Sequence, residues 1–70
     1  MALTITDTEI TSSDVGETAY LHDGMWFVTG RPGRAMDRNQ AITAMTIAEE
    51  QARPEPDRQL LASLESELPR

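Results

Sequence analysis

W-F-V-T-G-R-P-G-R-A-M-D-R-N-Q-A-I-T-A-M, residues 26–45, is the stretch of this chain with the clearest local signals. Its first four residues are aromatic or β-branched, which is typical of a β-strand. Pro32 and Gly33 fit the central positions of a type II turn, because proline fixes a negative φ and glycine tolerates a positive one. Asp37, followed three residues later by Gln40, predicts a helix start with a variant capping box. The stretch therefore predicts a strand, a tight turn and a helix, in that order.

A second strand precedes this one across a short turn. Residues 17–21 (E-T-A-Y-L) and 25–29 (M-W-F-V-T) are both rich in strand-forming side chains. The Asp-Gly pair at 23–24 supplies the positive φ angles that a two-residue hairpin turn needs. The pattern predicts a β-hairpin in which Tyr20 lies near Trp26.

The first helix is expected to run from Arg38 to Ala52 or Arg53, where Pro54 stops it. Small and flexible apolar residues recur at helical spacing and mark the face that packs against the sheet. This face consists of Ala41, Ala44, Met45, Ala48 and Ala52.

A second helix is expected to begin at Pro56, with Asp57 in its first turn. It carries a stripe of leucines that either packs within the fold or forms an interface with a partner: Leu60, Leu61, Leu64 and Leu68. Together these elements predict a small α+β fold, a β-hairpin followed by two helices (ββαα), with a third strand as the alternative.

The third strand would come from the N-terminal segment. Residues 1–16 are rich in threonine, serine and acidic residues, and they offer little apolar surface to offset the entropy of ordering. The sequence therefore predicts a disordered tail over 1–16 and one small domain over 17–68. The alternative strand rests on Leu3 and Ile5, which alternate with Thr4 and Thr6.

Composition limits the chemistry that the chain can support. The 70 residues include no cysteine, so disulfides and thiolate metal sites are excluded. His22 is the single histidine and cannot form a structural zinc site alone. No cofactor is expected. A core this small favours association with a partner or with a second copy of the chain.

The net charge of −6 is unevenly distributed. Residues 1–30 contain five acidic and no basic residues, whereas residues 31–40 contain three arginines and one aspartate. An acidic chain is repelled by nucleic acid and by anionic membranes, so both are disfavoured as partners. The start of the sequence lacks a basic segment followed by an apolar one, and no apolar run is long enough to cross a bilayer, so a cytoplasmic location is expected.

The central stretch resembles a group of short actinobacterial and actinophage proteins of uncharacterised function. The similarity covers W-F-V-T at 26–29, P-G-R at 32–34 and R-N-Q-A-I-T-A at 38–44. The absence of lysine, with six arginines in its place, agrees with such a source. The resemblance implies no activity for any residue.

Arg31, Arg34 and Arg38 are the strongest candidates for a binding site. Guanidinium groups beside the free N–H groups of a helix start would bind a phosphate, a nucleic-acid backbone or an acidic protein surface. The simpler interpretation is that these arginines pair with acids of the same chain or are solvated.

Other candidates are weaker. Tyr20, Trp26 and Phe27 would form either a stacking platform or the core of the sheet. His22 beside Asp23 is expected to be an exposed turn residue. Two carboxylate pairs are expected on solvated helix faces: Glu49 with Glu50, and Glu65 with Glu67.

These observations favour a non-enzymatic protein-interaction or regulatory module that binds a protein partner or forms a homodimer. No catalytic residues and no metal ligands are predicted, because no nucleophile, base and oxyanion donor can be assigned together. The alternative is a nucleic-acid-binding accessory protein that uses Arg31, Arg34 and Arg38.

Overall fold

The protein, described by a computed structural model over residues 3–68, is a five-stranded antiparallel sheet followed by two helices. The strands lie side by side in chain order. Each strand therefore pairs with the one that follows it. The elements are β1 (Leu3–Ile5), β2 (Glu9–Ser12), β3 (Thr18–His22), β4 (Met25–Val28), β5 (Arg31–Met36), α1 (Arg38–Gln51) and α2 (Arg58–Glu65).

The predicted hairpin with at most a third strand is wrong, because the sheet has five strands. Two of the strands that the hairpin prediction missed lie in the segment predicted to be a tail, although β1 is the alternative strand that Leu3 and Ile5 indicated. β1 pairs with β2 through Leu3–Ser12, Thr4–Thr11 and Ile5–Ile10, and β2 pairs with β3. Ile10 is fully buried and anchors this segment to the core. A single buried residue among β-branched threonines is too weak a sequence pattern to distinguish a strand from a polar tail.

The third strand that was missed is β5. The chain reverses at Thr29-Gly30, since Val28 is already opposite Arg31, and not at Pro32-Gly33 as predicted. Gly33 does have a positive φ of 78°, as the turn chemistry requires. It uses that φ in a bulge, in which residues 32–35 lie opposite Phe27 alone. Proline is tolerated there because β5 is an edge strand.

The β3–β4 turn agrees with the prediction. Asp23 and Gly24 have φ angles of 51° and 80°, which makes the connection a type I′ turn closed by His22 and Met25. The expected neighbour of Tyr20 is incorrect, however. Its cross-strand partner is Phe27, whereas Trp26 pairs with Leu21 on the opposite face of the sheet.

Helix α1 begins at Arg38 as predicted and ends at Gln51, one or two residues earlier than predicted. The Asp37 carboxylate accepts from the Gln40 N–H at 2.7 Å, and the Gln40 side chain accepts from the Asp37 N–H at 3.0 Å. This is the complete capping box. Helix α2 starts two residues later than expected, because Asp57 is its N-cap and not a first-turn residue.

Helix α1 covers one face of the sheet, which we call the inner face, and α2 packs on α1. The predicted α1 face is buried at Ala41, Ala44, Met45 and Ala48, but not at Ala52. It meets inner-face residues of four strands: Ile10, Ala19, Trp26, Val28 and Met36. A single helix does not cover the whole inner face, and Ile5 and Leu21 remain 42% and 38% exposed.

Two carboxylates that were expected in solvent are buried. Glu49 accepts a hydrogen bond from the Ser12 hydroxyl at 2.6 Å, which ties α1 to β2. Glu50 is 1% exposed and holds the link between the helices. It accepts from the Asp57 N–H at 2.9 Å and from the Arg53 guanidinium at 3.2 Å.

We expect Glu50→Ala to lower the free energy of unfolding by about 1–3 kcal/mol, because it leaves the part-buried Asp57 N–H without its acceptor. Urea denaturation followed by circular dichroism measures this change. Glu55→Ala, an exposed position in the same linker, is the matched control and should change stability by about 0.5 kcal/mol or less. Equal stabilities for the two variants would show that Glu50 does not hold the linker.

Candidate functional site

The face of the sheet opposite α1, which we call the outer face, presents a group of aromatic and apolar side chains. Because α2 packs on α1, both helices lie on the inner side. On the outer face Tyr20 pairs with Phe27, and His22 pairs with Met25 in the next row. Tyr20 is 44% exposed and Met25 is 41% exposed. We call these four residues the aromatic patch.

The rings of the patch are in mutual contact. Tyr20 and Phe27 stack with ring centroids 5.9 Å apart and an interplanar angle of 26°. His22 meets Phe27 edge-on at 6.4 Å. Ring pairs in these arrangements attract one another beyond the area that they bury. The three rings therefore form a preformed surface on two paired strands, and they need less ordering on binding than isolated side chains would.

The surroundings of the patch are polar and acidic. Glu9 lies directly across from Tyr20, and the Asp23 carboxylate is 3.4 Å from Nε2 of His22. On the side of Tyr20 that faces away from His22, three threonines lie side by side across three strands: Thr4, Thr11 and Thr18. A ligand that covers the rings would therefore meet carboxylates at the rim.

The sequence assigned Tyr20, Trp26 and Phe27 to one cluster, but the fold separates them. Trp26 is 4% exposed and belongs to the core, whereas Tyr20 and Phe27 face outward. The β4 segment M-W-F-V is apolar at every position, so its own pattern does not indicate which residues face the helix. The pairing with β3 (T-A-Y-L-H) does indicate which residues face the helix. Val28 lies opposite Ala19, which is small and buried, so both residues face the inner side.

The three candidate arginines are also separated. Arg31 and Arg34 line a cleft of about 360 Å³ between β5 and α1, and Arg38 is not among its lining residues. The cleft is lined by α1, by β5, by the β4–β5 turn and by Glu17, the residue that precedes β3. Its lining residues are Glu17, Gly30, Arg31, Pro32, Arg34, Ala44, Ile47, Ala48 and Gln51.

Arg31 has a partner within the chain. Its guanidinium donates to the Glu65 carboxylate of α2, so β5 and α2 are joined by an ion pair. The expectation that these arginines pair with acids of the same chain therefore holds for Arg31. Its partner is Glu65 of α2. Across the cleft, Glu17 lies over Gly30 so closely that a β-carbon at position 30 would overlap its carboxylate.

The predicted leucine stripe is used mainly for packing, and its last member, Leu68, lies beyond the end of α2 at Glu65. Leu61 and Leu64 are half-buried against the core, and Leu68 is buried within it. Leu60 is 38% exposed and is the member of the stripe that points most toward solvent. An interface that includes all four leucines would require α2 to leave α1.

Residues 3–68 contain no group of three or more histidine or carboxylate side chains placed to hold a metal ion. In the same range no helix is long and apolar enough to span a bilayer. His22 lies exposed beside the hairpin turn, as expected.

Comparison of the chain with protein-family models, with curated proteins and with solved structures gives no match. The resemblance of residues 26–44 to short actinobacterial and actinophage proteins therefore stays a prediction.

We expect Glu65→Gln to lower the free energy of unfolding by about 1 kcal/mol or less, because its ion pair with Arg31 is partly exposed to solvent. Urea denaturation in low and in high salt measures the effect. The difference between Glu65→Gln and the wild type should shrink as salt screens the pair. A loss well above that range, or one that salt does not reduce, would show that Glu65 has a packing role beyond charge.

Proposed function

We propose that the protein is a small, non-enzymatic interaction module that binds a protein partner through the aromatic patch. The observation that carries this proposal is the stacked Tyr20–Phe27 pair on a sheet face that neither helix covers. Aromatic side chains and methionine are enriched at the centres of protein interfaces, and Met25 lies beside the pair. Stacked aromatic rings with an adjacent methionine supply apolar contact area for a partner.

The charge around the patch supports a specific class of partner. The acidic rim at Glu9 and Asp23, on a chain of net charge −6, attracts a surface that is apolar at its centre and basic at its edge. The same rim opposes face-to-face pairing of two copies, since their carboxylates would approach one another. We therefore infer a heterologous partner with a basic rim, which the module would regulate by occupying its surface.

A second candidate, a nucleic-acid-binding accessory protein, is favoured by the same rings, because exposed aromatic residues on a sheet can stack on unpaired bases. Arg31, Arg34 and Arg38 would then contact the phosphate backbone. The acidic rim opposes this second candidate, because carboxylates repel phosphate groups, whereas they attract a basic protein surface.

The proposal predicts that Tyr20→Glu combined with Met25→Glu abolishes capture of the partner, because both charges would lie at the centre of the contact. The measurement is an affinity pull-down with and without nuclease, followed by titration of the purified partner. Affinity should fall by at least about tenfold, the change expected for a loss of about 1.4 kcal/mol. Thr4→Glu, on the same face but outside the patch, is the control and should retain the partner.

Three results would contradict this assignment. A partner that binds the Tyr20→Glu, Met25→Glu variant as well as it binds the wild type uses another surface. A dimer of the wild type that the same variant dissociates, measured by light scattering, would make a second copy the occupant. Nucleic acid that is captured only without nuclease, and is lost from an Arg31, Arg34 and Arg38 triple-alanine variant, would favour the second candidate.

A further inference from the structure

We propose that two copies of the chain dimerise by pairing their β1 strands antiparallel, so that two five-stranded sheets join into one. β1 is the first strand of the sheet, and we call its side away from β2 the open edge. Helix α1 packs against β2, β3, β4 and β5, so it leaves the open edge accessible. The open edge is also remote from the aromatic patch, which lies on β3 and β4. The inference therefore does not rest on the proposed function.

The two edge strands of the sheet differ in how they would receive another strand. In β5, Pro32 lacks an N–H group and residues 32–35 form the bulge, and both features discourage pairing with other chains. β1 contains no proline and no charged side chain, and it pairs in regular register with β2 over all its residues. Its short length limits the strength of any further pairing but does not prevent it.

The backbone of β1 directs two residues toward the open edge. The Thr6 N–H donates to the Glu9 carbonyl at 2.8 Å, so these residues form a hydrogen-bonded pair. Hydrogen-bonded and non-hydrogen-bonded pairs alternate along an antiparallel ladder, so Thr4 is the next residue of β1 that bonds to β2. The N–H and C=O groups of Leu3 and Ile5 consequently point away from β2, into the open edge.

The β1 segment is complementary to itself about Thr4. When two β1 strands run antiparallel with Thr4 opposite its own copy, Leu3 of each lies opposite Ile5 of the other. Each of these pairs can exchange both of its N–H···O hydrogen bonds through the outward groups. Ile5 is 42% exposed on the inner face, and the leucine of the other copy would cover it. On the outer face the two Thr4 side chains form a favourable cross-strand pair.

Charge and symmetry favour a second copy as the occupant of the open edge. β1 is uncharged, and Asp7, the first acid after it, lies in the β1–β2 turn. The antiparallel arrangement places the two Asp7 residues at opposite ends of the contact, so they do not oppose it. The joined sheet has a β5 strand at each end, and the bulge and Pro32 protect both ends. The pairing therefore closes at two copies and does not continue into a filament.

The contact is small, and interfaces below about 1,200 Å² are typically weak, so we expect a Kd of about 0.1–1 mM. The test measures translational diffusion and backbone amide chemical shifts by NMR between about 0.05 and 2 mM protein, a range that brackets this Kd. Diffusion should slow toward the value of a dimer as the concentration rises. The amides of Leu3 and Ile5 should shift with the same dependence on concentration.

Two variants and a matched control identify the surface. Thr4→Glu should raise the Kd by at least about tenfold, because it places two carboxylates directly opposite one another at the symmetry axis. Ile5→Pro removes an N–H that points into the open edge and should have a similar effect. Thr11→Glu adds the same charge on the same face one strand further from the edge, and should change the Kd by less than about threefold.

The outcomes that would overturn the proposal are distinct. A monomer throughout the concentration range would do so, as would a dimer that both Thr4→Glu and Ile5→Pro leave intact. Equal losses in Thr4→Glu and Thr11→Glu would show a response to total charge alone, and species larger than a dimer would contradict closed pairing. Urea denaturation of every variant confirms that a lost dimer is not a loss of folding.

Discussion

The packing of helix α1 on one face of the sheet is the interaction on which the rest of the molecule depends. Ala41, Ala44 and Ala48 bring the helix axis close to the strands, and Met45 fills the space between them and the sheet. This contact buries side chains from four strands at once. It also fixes the direction of every side chain in those strands, because a shift of one residue would exchange the inner and outer faces.

The burial of the Glu49 and Glu50 carboxylates depends on the packing of α1 against the sheet. Glu49 and Glu50 lie at the end of α1, where the sheet and the linker enclose it. The Ser12 hydroxyl donates to one of them, and the Asp57 N–H donates to the other. A buried carboxylate is tolerated where hydrogen-bond donors replace the water that it has lost. The two residues thus fasten α1 to β2 on one side and to the start of α2 on the other.

A single helix layer leaves the outer face without a cover. Outside the aromatic patch, the outer-face positions of β1, β2 and β3 are polar: Thr4, Glu9, Thr11 and Thr18. The aromatic patch is the exception. Tyr20, Phe27 and Met25 would each be more stable under a covering layer, since burial of apolar area is the dominant favourable term. Their position on the open face is what distinguishes them from the rest of the surface.

The parts of the fold that could be predicted from sequence are those fixed by short-range chemistry. The Asp-Gly turn and the Asp37 capping box need only neighbouring residues, and both occur as expected. The remaining errors arise where the outcome depends on distant contacts. β1 and β2 are ordered by pairing with β3 and by the burial of Ile10, neither of which is visible in their own composition. Likewise, the three arginines are close in sequence, but of the three only Arg31 and Arg34 line the cleft between β5 and α1.

The β5 bulge is explained by the position of β5 at the edge of the sheet. Proline and a bulge on an edge strand discourage pairing with other chains, and this accounts for the irregular pairing of residues 32–35. The ion pair between Arg31 and Glu65 joins the same strand to α2. The bulge thus protects the edge of the sheet, while Arg31 keeps β5 attached to the helical layer.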